Sequence, residues 1–395
     1  MKKGWERKSL GKICDIERGG SPRPIQNFIT TDPNGINWIK IGDATTNHKY
    51  IYKTEEKIKP EGVKRSRMVY EGDFILSNSM SFGRPYIMKT EGCIHDGWLV
   101  LHQPKVDPDY LYFVLSSDLV FNQFDQLATG STVRNLNIGL VKSVEIPVPS
   151  LPEQQRIVGI LDEAFAEIAV AKENTERNLK NARAIFESHL NAVFSKRGEG
   201  WVETRLGDMS RINYGYTESA SAEKVGPHFL RITDIQDNWV DWDTVPYCPI
   251  DASDLPKYKL ADGDIVFART GATTGKSYLV SNPPESVFAS YLIRVQLSNE
   301  ELLPQFVNLF FQTHSYWDTI RAGVSGSAQG GFNATKLGEL VIPFPKSLKE
   351  QISVVARLDA LSAETQRLET IYQRKLDALD ELKKSLLHQA FEGEL

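Results

Sequence analysis

At 395 residues the chain exceeds one typical domain, and 41% hydrophobic with 10% aromatic residues supply enough apolar surface for two cores. A net charge of −5 at pH 7 argues against a protein that coats nucleic acid through bulk positive charge, while leaving room for a local basic face. Cys14, Cys93 and Cys248 make neither a disulfide framework nor a CxxC metal pair, and the seven histidines lack HxxxH or HExxH spacing, so no metal is expected.

Taken from the amino terminus, Met1 to Arg7 contain no apolar leader-like run, and nowhere is there the stretch of about 18 apolar residues that a membrane helix needs. The expectation is a soluble cytoplasmic protein with no membrane partner. The short β-like runs Trp38 to Ile41, Phe74 to Leu76, Trp98 to Leu101 and Val144 to Val148 alternate with Gly, Pro and Asn turns. They predict a mixed α+β (α/β) globule over 1–150. From Glu153 to Phe194 there is then no proline and a single glycine, which predicts one long helix within 151–198.

The same plan is then written again, as a globule over 199–346 and a helix within 347–395. A shift of about 196 residues lays Trp5-Glu6-Arg7-Lys8-Ser9-Leu10-Gly11 on Trp201-Val202-Glu203-Thr204-Arg205-Leu206-Gly207. In the same order, Trp38 to Asp43 matches Phe229 to Asp234, and Glu71-Gly72-Asp73-Phe74 matches Asp262-Gly263-Asp264-Ile265. Thr129-Gly130-Ser131 matches Ser325-Gly326-Ser327, and Ile146-Pro147-Val148-Pro149 matches Ile342-Pro343-Phe344-Pro345. A Glu-Gln pair follows each, at Glu153-Gln154 and Glu350-Gln351.

Both helical stretches carry apolar residues at alternating steps of four and three, the pattern of a coiled coil. In the first this gives Ile157, Leu161, Ala164, Ile168, Ala171, Thr175, Asn178, Ala182, Ile185, His189 and Ala192. In the second it gives Val354, Leu358, Leu361, Thr365, Leu368, Tyr372, Lys375, Leu379, Leu382, Leu386 and Gln389. Small residues of one list fall opposite large ones of the other, so the helices suit each other as partners; the alternative is that each packs only on its own globule.

Three strings imitate catalytic motifs. Gly271-Ala272-Thr273-Thr274-Gly275-Lys276-Ser277 is one residue short of a phosphate-binding loop and runs into a strand-like Tyr278-Leu279-Val280, without the helix N-terminus that would hold an anion. Asn282-Pro283-Pro284-Glu285 has Glu285 where an amino-methyltransferase motif needs an aromatic ring. Asp162-Glu163-Ala164-Phe165 imitates a Walker B string but lies inside the helical repeat, and no GxSxG elbow occurs. Lys57, Lys59, Lys64, Arg65 and Arg67 form a basic cluster that suits either phosphate contact or a solvated helix face.

The doubled order of Ile-Pro-x-Pro, Glu-Gln and long helix, with the Gly-Asp strands and the closing Ala390-Phe391-Glu392-Gly393-Glu394-Leu395, resembles the specificity subunits of Type I restriction-modification enzymes over essentially the whole chain. The junction departs from the family only in lacking, before Glu350, the proline that stands at Pro152. The resemblance implies two target-recognition domains joined by two long antiparallel helices, related by a pseudo-twofold repeat and each reading part of a split site in double-stranded DNA. It implies two modification subunits that methylate adenine and, in the full complex, two restriction subunits. No catalytic residue or cofactor is expected in this chain; S-adenosylmethionine, ATP and Mg2+ belong to the partners. Two other readings stay open at this stage, a coiled-coil interaction scaffold whose heads do not bind DNA and an enzyme with unrecognised motifs.

Base readout rests on a few side chains at polar, glycine-rich turns, and such turns occur at matched places in both copies. The DNA-binding candidates of the first copy are Arg18, Ser21, Arg23, Asn78, Ser79, Ser81, Arg84, Ser131, Thr132, Arg134, Asn135 and Asn137. Those of the second are Asn213, Tyr214, Tyr216, Arg269, Thr270, Thr273, Thr274, Lys276, Ser327, Gln329 and Asn333. Each is open to a purely structural role in its turn.

Overall fold

A computed structural model describes residues 2–44, 49–78, 82–128, 136–236, 239–298, 300–325 and 331–395. The chain divides into two units, the first made of Met1–Glu176 and Arg374–Leu395, the second of Arg177–Gln373.

In the first unit, strands β1 (Asp15–Arg18), β2 (Phe74–Ser77), β3 (Pro85–Met88) and β4 (Trp98–His102) form a five-stranded sheet with Tyr50–Ile51, in the order β1, β4, β2, β3, Tyr50–Ile51. The two central strands read as unbroken apolar runs because both faces of the sheet are covered. Phe74, Leu76, Leu99 and Leu101 pack on helices α1 (Pro108–Leu115), α2 (Asp118–Ala128) and α3 (Ile138–Ser143), through Tyr110, Val114, Phe124 and Val141. Ile75, Trp98 and Val100 face the other way, into a cluster with Ile39, Val69 and Ile94. A helix of 45 residues, α4 (Leu151–Ser195), follows.

The second unit repeats the arrangement with β5 (Ser210–Tyr214), β6 (Ile265–Ala268), β7 (Ser277–Leu279) and β8 (Leu292–Leu297), ordered β5, β8, β6, β7 and antiparallel throughout. Phe267 and Ile293 pack on α5 (Pro304–Phe310), α6 (His314–Ser325) and α7 (Ala334–Gly338) through Phe306, Tyr316, Ile320 and Leu337. A second helix of 45 residues, α8 (Leu348–Glu392), closes the series. The repeated Gly-Asp is a turn device. Gly72 and Gly263 take positive φ (91° and 84°), and the following Asp73 and Asp264 accept hydrogen bonds from the Tyr70 and Ala261 amides at 2.8 and 2.9 Å.

The Glu-Gln junction is a staple. Buried Gln154 donates to the Pro149 carbonyl (2.8 Å) and accepts from the Asp107 amide (2.8 Å) just ahead of α1. Gln351 donates to the Pro345 and Glu301 carbonyls (2.9 and 2.7 Å) and accepts from the Leu303 amide (2.9 Å) just ahead of α5. The Gln351 side chain, at the junction that lacks the proline, therefore makes one hydrogen bond more than that of Gln154.

Neither helix packs solely on its own globule. In the first unit Lys172 pairs with Asp380, and the Lys383 ammonium lies 4.8 Å from the Phe165 ring centre, so the two segments run antiparallel. In the second, Arg183 meets Glu369 at 2.9 Å. The last turn of each helix supplies an aromatic anchor to the unit it ends in. Phe391 lies edge-on to Tyr110 in the first unit (centroids 5.7 Å apart), and Phe194 lies against Phe306 in the second (5.1 Å).

The seam corrects the strict heptad. Ile157, Leu161, Ile168, Thr175 and Ala182 are buried as expected, but Asn178, Ile185, His189, Lys375 and Leu382 are exposed. Leu179, Phe186, Leu190, Leu376 and Leu387, each displaced along the helix, turn inward instead. Ile157, Ile168, Leu179 and Leu190 recur every eleven residues, as do Val354, Thr365, Leu376 and Leu387. Eleven residues in three turns lie close to the natural period of a straight helix, whereas a fixed repeat of seven drifts by about 20° each time. Among the described residues no helix is long and apolar enough to cross a membrane.

Candidate nucleic-acid interface

One backbone frame recurs at the same end of both sheets. In the first unit the Gly19 amide donates to the Trp98 carbonyl (2.9 Å), Gly20 to Ile94 (3.1 Å), Asn78 to Gly97 (3.0 Å) and Leu136 to Asn78 (2.9 Å). In the second the Gly215 amide donates to Leu292 (3.2 Å), Tyr216 to Phe288 (2.8 Å), Arg269 to Tyr291 (3.2 Å) and Phe332 to Arg269 (2.9 Å). The crossing is tight enough to require glycine. A Cβ on Gly19 would lie 2.1 Å from the His95 carbonyl oxygen, and one on Gly215 would lie 2.2 Å from that of Ala289.

The side chains on this common frame differ. In the first unit Arg18, Ser21, Arg23 and Asn78 converge on Asp96. Arg18 Nε and Asn78 Nδ2 donate to its carbonyl (3.2 and 2.8 Å), while Ser21 Oγ and an Arg23 amino group donate to its carboxylate (2.6 and 3.3 Å). The Ser21 hydroxyl, helped by His95 and Arg23, holds the Asp96 carboxyl below the usual carboxylate range. Burial pushes the His95 imidazole down, and its Nδ1 accepts from the Gly97 amide at 2.7 Å. Asn78 is buried and holds the turn; Arg18 and Arg23 are exposed.

In the second unit Ser290 stands where Asp96 does, and its carbonyl receives Arg269 Nε at 3.0 Å. The Arg269 guanidinium lies 5.0 Å from the centre of the Tyr214 ring, and the Tyr214 hydroxyl accepts from the Ala334 amide at 3.0 Å. Tyr291, next to Ser290, is 60% exposed. Each frame thus ties one arginine by its Nε to the same carbonyl, carried by the β1 strand at Arg18 but by the end of β6 at Arg269.

The other candidates scatter. Asn137 and Asn333 cap α3 and α7, accepting from Leu140 and Lys336 amides at 3.0 and 2.9 Å. Tyr216 packs on Tyr258 (5.0 Å), and Asn213 is exposed on β5. The Thr273 and Thr274 hydroxyls turn back to the Thr270 and Gly271 carbonyls (3.4 and 2.8 Å) in a short 3-10 turn. Lys276 is exposed, with no side-chain partner among the described residues. Arg84 lines a cavity of about 600 Å³ with Phe82, Tyr112, Phe121, Phe165 and Lys383. Ser79, Ser81, Ser131, Thr132, Arg134, Asn135, Ser327 and Gln329 lie outside the described residues.

The basic cluster is not a helix face. It spans the strands Glu56–Ile58 and Arg67–Val69 and the 3-10 helix Pro60–Arg65. Lys57 and Lys59 donate to the Pro33 and Asn27 carbonyls (2.7 and 2.9 Å), and Arg67 pairs with Glu17 at 2.7 Å. Asp96, Ser290 and Tyr291 were missed by sequence reasoning. The Asp96-Gly97 turn was a legible signal, whereas Ser290-Tyr291 carries none, and only the paired frame exposes their equivalence.

A family model described as the Type I restriction modification DNA specificity domain matches residues 2–180 and again 198–376. The chain is 26% identical, over 431 residues, to the Type I restriction enzyme EcoKI specificity subunit of Escherichia coli (strain K12), a match covering all of this chain and 90% of that one. Its fold is shared by a chain solved in work on complex assembly and conformational transition of the type I R-M system (TM-score 0.83, 19% identity, 100% of this chain and 99% of that one). It is shared also by the HsdS subunit from Thermoanaerobacter tengcongensis (TM-score 0.64, 19% identity, 100% and 98%). With the family's domain matched once in each half of a sequence that repeats itself, this chain belongs to the Type I restriction-modification DNA specificity family.

Proposed function

We propose that this chain is the specificity subunit of a Type I restriction-modification complex, with each unit reading one half of a bipartite target in double-stranded DNA. The observation that carries the reading is the repeated frame: equivalent backbone hydrogen bonds present Arg18 and Asp96 in one unit and Tyr214, Arg269 and Ser290 in the other. A protein that reads two unlike half-sites needs such an arrangement, because phosphate and frame contacts position while side chains at base edges specify. In this reading two modification subunits bind S-adenosylmethionine and methylate adenine. Two restriction subunits use ATP and Mg2+, and this chain directs them without a catalytic site of its own. Base-resolution methylation mapping of genomic DNA with the gene intact and deleted tests it. The expected result is a split adenine-methylation motif that vanishes on deletion; a continuous motif, or an unchanged methylome, refutes it.

A further inference from the structure

The two arginines tied to the frame differ in how firmly they are held. The Arg18 side chain is exposed and, among the described residues, is gripped only through Nε. Arg269 is fixed by four contacts. Its amide donates to Tyr291 and its carbonyl accepts from Phe332, its Nε donates to the Ser290 carbonyl, and its guanidinium lies over the Tyr214 ring, which the Ala334 amide holds in turn. Using Nε inward leaves the two terminal amino groups as a planar fork, and neither has a partner among the described residues.

We propose that Arg269 reads a guanine directly, donating two parallel hydrogen bonds from this fork to O6 and N7 in the major groove, with Tyr214 as its positioning residue. The inference rests on the DNA-reading function proposed above and names the base its second unit selects. A phosphate contact needs charge but no fixed plane, and exposed Lys276, seven residues on, answers to that description. A bidentate base contact needs the plane held, because a guanidinium bonded through Nε and lying over a ring loses little further freedom on binding.

The test uses the full chain purified with its modification subunits. Affinity is measured for the cognate duplex and for every single-base variant of both half-sites, at several salt concentrations. The variants are Arg269→Lys, Tyr214→Leu, Tyr214→Phe and Lys276→Ala. Arg269→Lys keeps the charge and both backbone bonds of the frame, so the unit retains its fold. The expected result is loss of discrimination at one guanine of one half-site, from about 5- to 150-fold toward none, with the other half-site and the salt dependence unchanged. Tyr214→Leu should relax the same position in part and Tyr214→Phe, which keeps the ring but loses the hydroxyl's bond to the Ala334 amide, should relax it less, whereas Lys276→Ala should weaken all duplexes alike and lower the salt slope by about one. Full discrimination by Arg269→Lys overturns the inference, as does an Arg269→Lys loss spread evenly over all sequences. A wild-type complex without sequence preference would instead overturn the function on which it rests.

Discussion

Replacing Gln351 by Ala removes an amide that is fully buried and makes three hydrogen bonds. The Leu303 amide, at the head of α5, then has no acceptor, and the Pro345 and Glu301 carbonyls each lose a donor. At about 1 kcal/mol for each bond, with the larger cost of about 1–3 kcal/mol where a buried group is left unsatisfied, the substitution should destabilise the second unit by about 3–5 kcal/mol. Gln154→Ala forfeits two bonds and should cost the first unit about 2–3 kcal/mol. Because two units need not unfold in one transition, the measurement is amide hydrogen exchange resolved by peptide rather than a single melting curve. Protection of α5 and of the strand Val341–Pro345 should fall by about 100-fold or more in Gln351→Ala, since 1.4 kcal/mol is a factor of ten, while α1 keeps its wild-type rates. Unchanged protection in α5, or a larger effect from Gln154→Ala, would refute the account of the staple.

Gly19→Ala places a methyl 2.1 Å from the His95 carbonyl and strains the bonds of Gly19 to Trp98 and Gly20 to Ile94. It should destabilise the first unit by about 2–4 kcal/mol and blur only its half-site, by chemical denaturation and duplex binding, while Gly42→Ala, with nothing within 4 Å, serves as the neutral control. The proposed function also makes the length of the helix pair a ruler for the gap between half-sites. Eleven residues inserted at matched points of α4 and α8 keep the inward stripe in phase and add about 16 Å, so the mapped methylation motif should keep both half-sites and widen its gap by about five base pairs; an unchanged gap in an active variant would dismiss the ruler.

The repeat, the two long helices and the apolar central strands were legible because each is a matter of periodicity or order along the chain. Periodicity failed in the second half of each helix, where the seven-residue count put Asn178, Ile185 and His189, and likewise Lys375 and Leu382, in the seam that Leu179, Phe186, Leu190, Leu376 and Leu387 occupy. A small error in period is invisible over two turns and amounts to a whole residue over six. The candidate site was legible in its loops but not in its logic. Arg18, Ser21, Arg23 and Asn78 are separated by up to sixty residues, and their meeting at Asp96 depends on strand register that no local pattern encodes. Asn137 and Asn333 show the converse, since an Asn at a turn is as good a helix cap as a base reader, and here both are caps. For the basic cluster, of the two alternatives of phosphate contact and a helix face, the second does not describe Lys57 and Arg67, which lie on strands, and Lys57 and Lys59 find their carbonyl partners across the fold.

The exchange of helix ends between the repeats sets an order of events during synthesis. The core of the first unit includes Leu387, Ala390 and Phe391, which emerge only after the whole of the second unit has been made. The second unit, a single continuous stretch from Arg177 to Gln373, has every residue it needs before that moment. A nascent chain therefore carries its first globule with the floor of its core missing, Tyr110 and Leu161 awaiting their partners, while the later globule can close around Phe194 and Leu358. Domains ordinarily mature from the amino end as they leave the ribosome; here the head made first is the one completed last, and its exposed apolar surface in the interval makes it the part of the chain most in need of protection from aggregation.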